Sequence, residues 1–156
     1  MRAIYSGTFD PITKGHLDII ERASKIFDTI IIAVATSHSK KPIFDISKRR
    51  EMIDVSTNHL KGIEVVEFNN LLVDFAKEID AKVIIRGIRN MGDFEYEQSM
   101  DYANKSLDSS IETLYLMPTM KYSYISSSLV RTLLEFNGRV EHLVPQKVNK
   151  LLESYR

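Results

Sequence analysis

Two hydrophobic periods alternate along this chain, and that alternation restricts its fold more than any other feature. Short apolar runs rich in β-branched residues recur at positions 3–5, 30–35, 63–68, 83–85 and 113–117, each bounded by Gly, Asp, Asn, Pro or Ser, and they read as strands. Between them, apolar residues fall three or four apart: Leu17, Ile20, Ala23 and Phe27; Leu72, Phe75, Ala76 and Ile79; Tyr96, Met100, Ala103 and Leu107. Ser47 is placed to cap a helix carrying Met52, Ile53 and Val55. The serines around Ser126 can cap another over 129–136, with Gly138 as its stop. Val148, Leu151, Leu152 and Tyr155 form a last amphipathic stretch. The mid-chain strand candidates are almost wholly apolar, the pattern of strands covered on both faces. Strand followed by helix, repeated, predicts a doubly wound α/β fold with a five-stranded parallel sheet.

With 156 residues and no Pro/Ser/Gly-rich linker, low-complexity tract or internal repeat, residues 1–156 are expected to form one domain. Such a chain can bury roughly 70% of its unfolded surface. Zero cysteines exclude disulfide scaffolds, thiolate zinc sites and cysteine nucleophiles. The 21 Lys+Arg cancel the 21 Asp+Glu, which removes the simplest electrostatic reason to expect nucleic acid or an anionic membrane as partner. The longest apolar run, 30–35, is far short of the roughly 20 residues that span a bilayer. No signal-like apolar stretch precedes Asp10 and Pro11, so a cytoplasmic protein is expected.

Any anion must therefore be attracted locally, and the familiar phosphate grips are missing: no G-x-x-x-x-G-K-[ST] loop, no G-x-G-x-x-G fingerprint and no H-E-x-x-H helix occur. The first strand leads instead into Gly7-Thr8-Phe9-Asp10-Pro11-Ile12-Thr13-Lys14-Gly15-His16. A strand, a turn-rich loop and a helix opening on histidine offer unpaired N–H groups, a ring N–H and the hydroxyls of Thr8 and Thr13 to one anion. Singly, each glycine fits a plain turn and His16 a water-facing helix residue. Together they point to an anion site.

The fourth strand runs into Arg86-Gly87-Ile88-Arg89, at the same end of the sheet, where open parallel sheets bind ligands if strands one and four are neighbours. Arginine forks match phosphate oxygens. Lys40-Lys41 follows the second strand, and Ser126-Ser127-Ser128 with Arg131 follows the fifth, so both also reach that end. Three serines exceed what one cap needs. Glu95 and Glu97 suit a ribose hydroxyl, a cation's water shell or one of the arginines, or an exposed acidic helix start. His38, His59 and His142 have no ligand spacing and read as surface or structural.

These motifs resemble a known set. Gly7 through His16 is similar to the T/H-x-G-H signature of the nucleotidyltransferase superfamily, and Ile125-Ser126-Ser127-Ser128-Leu129-Val130-Arg131 to its second signature. Arg86-Gly87-Ile88-Arg89 followed by Asp93-Phe94-Glu95-Tyr96-Glu97 is similar to one branch, the bacterial phosphopantetheine adenylyltransferases. The resemblance runs over essentially the whole chain. It implies a Rossmann-like fold, transfer of AMP from ATP to 4′-phosphopantetheine with Mg²⁺, a homohexamer of two trimers, and feedback binding of coenzyme A. It also implies roles: His16, Lys40 and Arg89 in catalysis; Thr8, Lys40, Leu72, Arg86 and Asn104 on phosphopantetheine; and Thr8, Phe9, His16, Gly87, Ile88, Arg89, Glu97, Tyr122, Ser123, Tyr124, Ile125, Ser126, Ser127 and Ser128 on ATP. Departures are Ser6 in place of the more frequent proline, Lys48-Arg49 in place of acidic residues, and Arg131 in place of lysine. They are expected to alter loop stiffness and surface charge rather than the reaction.

The implied nucleophile is a phosphate whose second pKa is about 6, so it is mostly dianionic at neutral pH and needs no general base. What it needs is positioning and fixed positive groups. Other branches of the superfamily acting on nicotinate mononucleotide or glycerol phosphate are the nearest alternative, and they usually show histidine at the place of Thr13. A non-catalytic nucleotide-binding module and a fragment of an aminoacyl-tRNA synthetase are more distant ones.

Overall fold

The computed structural model describes residues 1–36 and 41–155. Five strands form one sheet: β1 (Arg2–Gly7), β2 (Thr29–Ala35), β3 (Ile63–Phe68), β4 (Val83–Gly87) and β5 (Glu112–Leu116), in spatial order β3-β2-β1-β4-β5. Every neighbouring pair is parallel. β1 lies between β2 and β4, with Ile4 in register with both Ile31 and Ile84. The strand order therefore reverses at β1, and the loops leaving β1 and β4 share one crevice.

Helices α1 (Lys14–Ala23), α2 (Ile46–Thr57), α3 (Leu72–Glu78), α4 (Met91–Leu107), α5 (Ser127–Glu135) and α6 (Gln146–Ser154) complete the fold. The larger core, around Tyr5, Ile20, Ile30, Ile32, Met52 and Val148, covers one face of the sheet. A smaller one, around Ile4, Ile31, Phe75 and Ile84, covers the other. Residue by residue, β1 and β2 send alternate side chains to the two clusters, which is why their sequences are apolar at nearly every position. β3 is an edge strand and keeps Glu64 and Glu67 exposed.

Two element ends differ from expectation. The cap of α2 is Asp45, whose Oδ1 accepts from Lys48 N–H at 2.8 Å, and not Ser47. The helix starts one residue after Asp45, leaving Ser47 within its first turn. Past α5 the left-handed position belongs to Asn137 (φ 56°), while Gly138 follows it and donates its N–H to the Leu133 carbonyl at 2.7 Å. Gly138 is still the residue that fits, because a Cβ there would meet that carbonyl oxygen at 3.0 Å.

Candidate active site

At the carboxyl ends of β1, β4 and β5 lies an open cleft of about 580 Å³, within the size range of small-molecule sites. Thr8, Phe9, His16, Arg86, Gly87, Arg89, Glu97, Ile125, Ser126, Ser127 and Ser128 all line it. Residues from opposite halves of the sequence thus meet because β1 and β4 are adjacent.

His16 sits at the third position of α1, and its side chain takes part in capping its own helix. Thr13 N–H donates to His16 Nδ1 at 3.0 Å, while His16 N–H donates to Thr13 Oγ1 at 3.3 Å. A backbone amide can only donate, so Nδ1 must be the acceptor, and in the neutral ring the proton sits on Nε2. Burial first, and then the nearby Arg89 and Arg86 guanidiniums, push the imidazole pKa down to about 4. The ring is neutral at pH 7. Phe9 packs edge-on against the ring at 5.1 Å, and Gly7 leaves room for Phe9, since a Cβ would touch its ring at 3.2 Å.

The arginines do not stand as bare cations. Arg86 donates Nε–H and Nη2–H to the two Glu97 carboxylate oxygens at 2.8 and 2.7 Å, and Nη1–H to the Ser6 carbonyl and hydroxyl at 2.7 and 2.9 Å. Of the roles open to Glu97, holding an arginine is the one the fold uses. Ser6 Oγ supplies a contact that a proline side chain could not. Arg89 is exposed and donates to Asp93 through Nε and Nη2, at 3.0 and 3.3 Å. Arg131 donates to the Asp10 carbonyl at 2.8 Å and to Ser128 Oγ at 3.1 Å. Among the described residues the cleft is lined by Lys41, Arg86, Arg89 and Arg131 against Asp10, Asp93 and Glu97, so the expected cationic crevice is nearly charge-balanced.

Each of the three serines has its own task. Ser126 Oγ caps α5 by accepting from Leu129 N–H at 3.0 Å. Ser127 Oγ donates to the Pro11 carbonyl at 2.8 Å, tying α5 to the first loop, and Ser128 orients Arg131. The first-turn N–H groups of α5 lie on the cleft wall, where a phosphate can be received.

Other expected residues fall elsewhere. Ile88 is buried and its N–H bonds the Leu116 carbonyl at 3.0 Å. Leu72 packs with Val66, Phe68 and Ile79 onto the smaller core, and Asn104 lies far along α4. Tyr122, Ser123 and Tyr124 belong to the turn that precedes α5 rather than to the cleft wall. Lys40 lies outside the described residues. Arg49 overturns an expectation: it is not a surface charge but a buried tie, 3% exposed, donating to the carbonyls of Phe44, Thr8 and Ala35 at 2.9–3.0 Å. Sequence reasoning gave no site role to Asp10 or Asp93, both of which line the cleft, while Lys41 is there as its place after β2 predicts. Only Asp93 had a readable signal, its four-residue spacing from Arg89.

The cytidylyltransferase-like family model matches residues 4–133. The chain is 58% identical over 149 residues to phosphopantetheine adenylyltransferase of Nautilia profundicola, covering 96% of this chain and 97% of that one. It is 50% identical over 153 residues to the enzyme of that name from Campylobacter jejuni, covering 98% and 97%. A solved structure of a candidate nicotinate-nucleotide adenylyltransferase from Vibrio parahaemolyticus superposes with a TM-score of 0.75 at 17% identity, covering 98% of this chain and 91% of that one, a likeness of fold alone. By near-full-length identity to these relatives, the chain belongs to the phosphopantetheine adenylyltransferase family of cytidylyltransferase-like proteins.

Proposed function

We propose that the protein transfers AMP from ATP to 4′-phosphopantetheine, giving dephospho-coenzyme A and pyrophosphate. Family membership carries the acceptor. The observation that carries the chemistry is the junction of the β1, β4 and β5 loops in one cleft, with a neutral His16 whose Nε2 holds the proton. An acceptor phosphate oxygen attacks the α-phosphorus of ATP, the bond from that phosphorus to the oxygen bridging the α- and β-phosphates breaks, and pyrophosphate leaves with the electron pair. The dianionic acceptor has no proton to lose in this step. His16 donates Nε2–H to an α-phosphate oxygen, and Arg89 and the α5 N-terminus hold the departing phosphates. Arg86, fixed by Glu97 and Ser6, holds the acceptor phosphate together with Lys40 and Thr8.

The cleft carboxylates are committed: Asp10 to the amides of Ile43 and Phe44 at 2.9 and 3.0 Å, Asp93 to Arg89, and Glu97 to Arg86. They form no ligand set for a resident metal, and the described residues contain no cluster of three or more candidate ligands. Mg²⁺ in this reading enters with the nucleotide, held by its phosphates and water. Coenzyme A contains both groups that the cleft receives, so it competes there as a feedback inhibitor. The homohexamer draws support from exposed apolar side chains on α4 and β5, among them Tyr96 (62%), Tyr102 (64%) and Leu107 (58%). Among the described residues no helix is long and apolar enough to cross a membrane, and the cysteine-free composition suits the cytoplasm.

Incubation with ATP, Mg²⁺ and 4′-phosphopantetheine tests the reading by mass. Dephospho-coenzyme A is the expected product. Its absence, or faster adenylylation of nicotinate mononucleotide or glycerol phosphate, would overturn the acceptor.

A further inference from the structure

Residues 117–126 connect β5 to α5 and cross the first turn of α1: the carbonyls of Tyr122 and Ile125 stand 3.6 and 3.9 Å from where a Gly15 Cβ would be. Its near part buries little apolar surface, with Met117 and Met120 at 72% and 87% exposure, whereas Tyr122 and Ile125 further along pack on the larger core. Polar bonds rather than packing therefore decide where residues 117–120 lie. The far part is tied down by its core contacts and by the bonds of Ser126 and Ser127. At its near end, Thr119 donates its N–H to Asp18 Oδ2 and its hydroxyl to Asp18 Oδ1, both at 2.8 Å. Arg22, one turn along α1, donates to the Met117 carbonyl at 2.6 Å and to Asp18 Oδ2 at 3.2 Å. Asp18 is itself only 14% exposed, and although burial works to raise its pKa, the bonds from Thr119 and Arg22 outweigh it and hold the carboxyl below its ordinary value. Pro118, between the two anchored residues, lines the cleft.

One helix thus presents His16 at its start and, two residues on, clasps the loop that delivers the serines of α5. We propose that Asp18 is a positioning residue for the nucleotide: by fixing residues 117–119 to α1, it sets the distance between His16 and the α5 N-terminus. The proposal rests on the adenylyltransferase reading. Thr119 is exposed and can return to water when its partner is lost, so removing the clasp moves the loop more than it weakens the fold.

Equilibrium binding of ATP, steady-state kinetics and thermal melting would be measured for wild type, Asp18→Ala, Asp18→Asn and Thr119→Ala. Asp18→Ala is expected to weaken ATP binding and raise its KM by about tenfold, the scale of one lost charge-assisted pair, with the phosphopantetheine KM within about twofold. Asp18→Asn should recover most of the loss, because its amide oxygen still accepts from Thr119 N–H and its NH₂ meets the Thr119 hydroxyl. Thr119→Ala should fall between, and it serves alone if Asp18→Ala does not fold. Unchanged ATP binding in the folded variants, or equal rises in both KM values, would overturn the proposal. Absence of dephospho-coenzyme A from wild type would instead overturn the reaction, leaving the ATP-binding comparison to judge the clasp.

Discussion

His16 is assigned two purposes for its two nitrogens: Nδ1 closes the start of α1, and in the proposed reaction Nε2 is left to meet the α-phosphate. Removing a well-placed donor to developing charge costs about a hundredfold or more in turnover, and that is the loss expected for His16→Ala, measured by pyrophosphate release. Because its pKa is near 4, the ring stays uncharged across the usual assay range. The acid limb of kcat/KM is therefore expected near pH 6, where the acceptor phosphate gains a proton, and His16→Gln should keep that limb at its lower rate. A limb that moves with the variant would assign it to the histidine. The stability sign follows from the same shift. The unfolded chain binds this proton near pH 6.5 and the folded one only near 4, so stability falls as pH drops through that window. His16→Gln should lose less stability there than wild type in denaturant titrations.

At the scale of elements, two tight places govern how strands are laid beside one another. Gly62, just ahead of β3, has φ 72°, and a Cβ would stand 2.2 Å from the Asp28 carbonyl oxygen at the start of β2. Gly62→Ala is expected to cost about 2 kcal/mol or more, read as a lowered melting temperature. Arg49 reaches from α2 to the ends of β1 and β2, and Arg49→Met should destabilise by roughly 2–4 kcal/mol because three carbonyls lose their donor. The adjacency of β1 and β4 stood only as a condition that the sheet order meets, whereas the five strands and their parallel sense could be read from sequence, since apolar runs and glycine-bounded loops record burial directly. Element ends could not. Asp45 and Ser47 are both good caps, so residue type alone does not choose between them. In the same way, Thr8, His16, Arg86 and the serines were legible because loop motifs are local, whereas the partner of Arg86 at Ser6 is 80 residues away. Arg49 looked like surface charge because nothing in its neighbours tells that three carbonyls surround it.

The whole molecule leaves an apolar stripe on α4 that a lone copy would expose. If it is the contact between copies, Tyr96→Glu with Tyr102→Glu should shift the sedimentation coefficient toward that of a monomer while each subunit keeps its helical content. The arrangement of cleft charges reaches further. Since Arg86, Arg89 and Arg131 arrive already matched by Glu97, Asp93 and Asp10, the pocket exerts only a short-ranged pull on distant anions. Raising potassium chloride from about 50 to about 500 mM should thus change the ATP dissociation constant by less than about threefold. Capture by this protein would then depend on contact and shape, and the enzyme would work almost indifferently to the ionic strength around it.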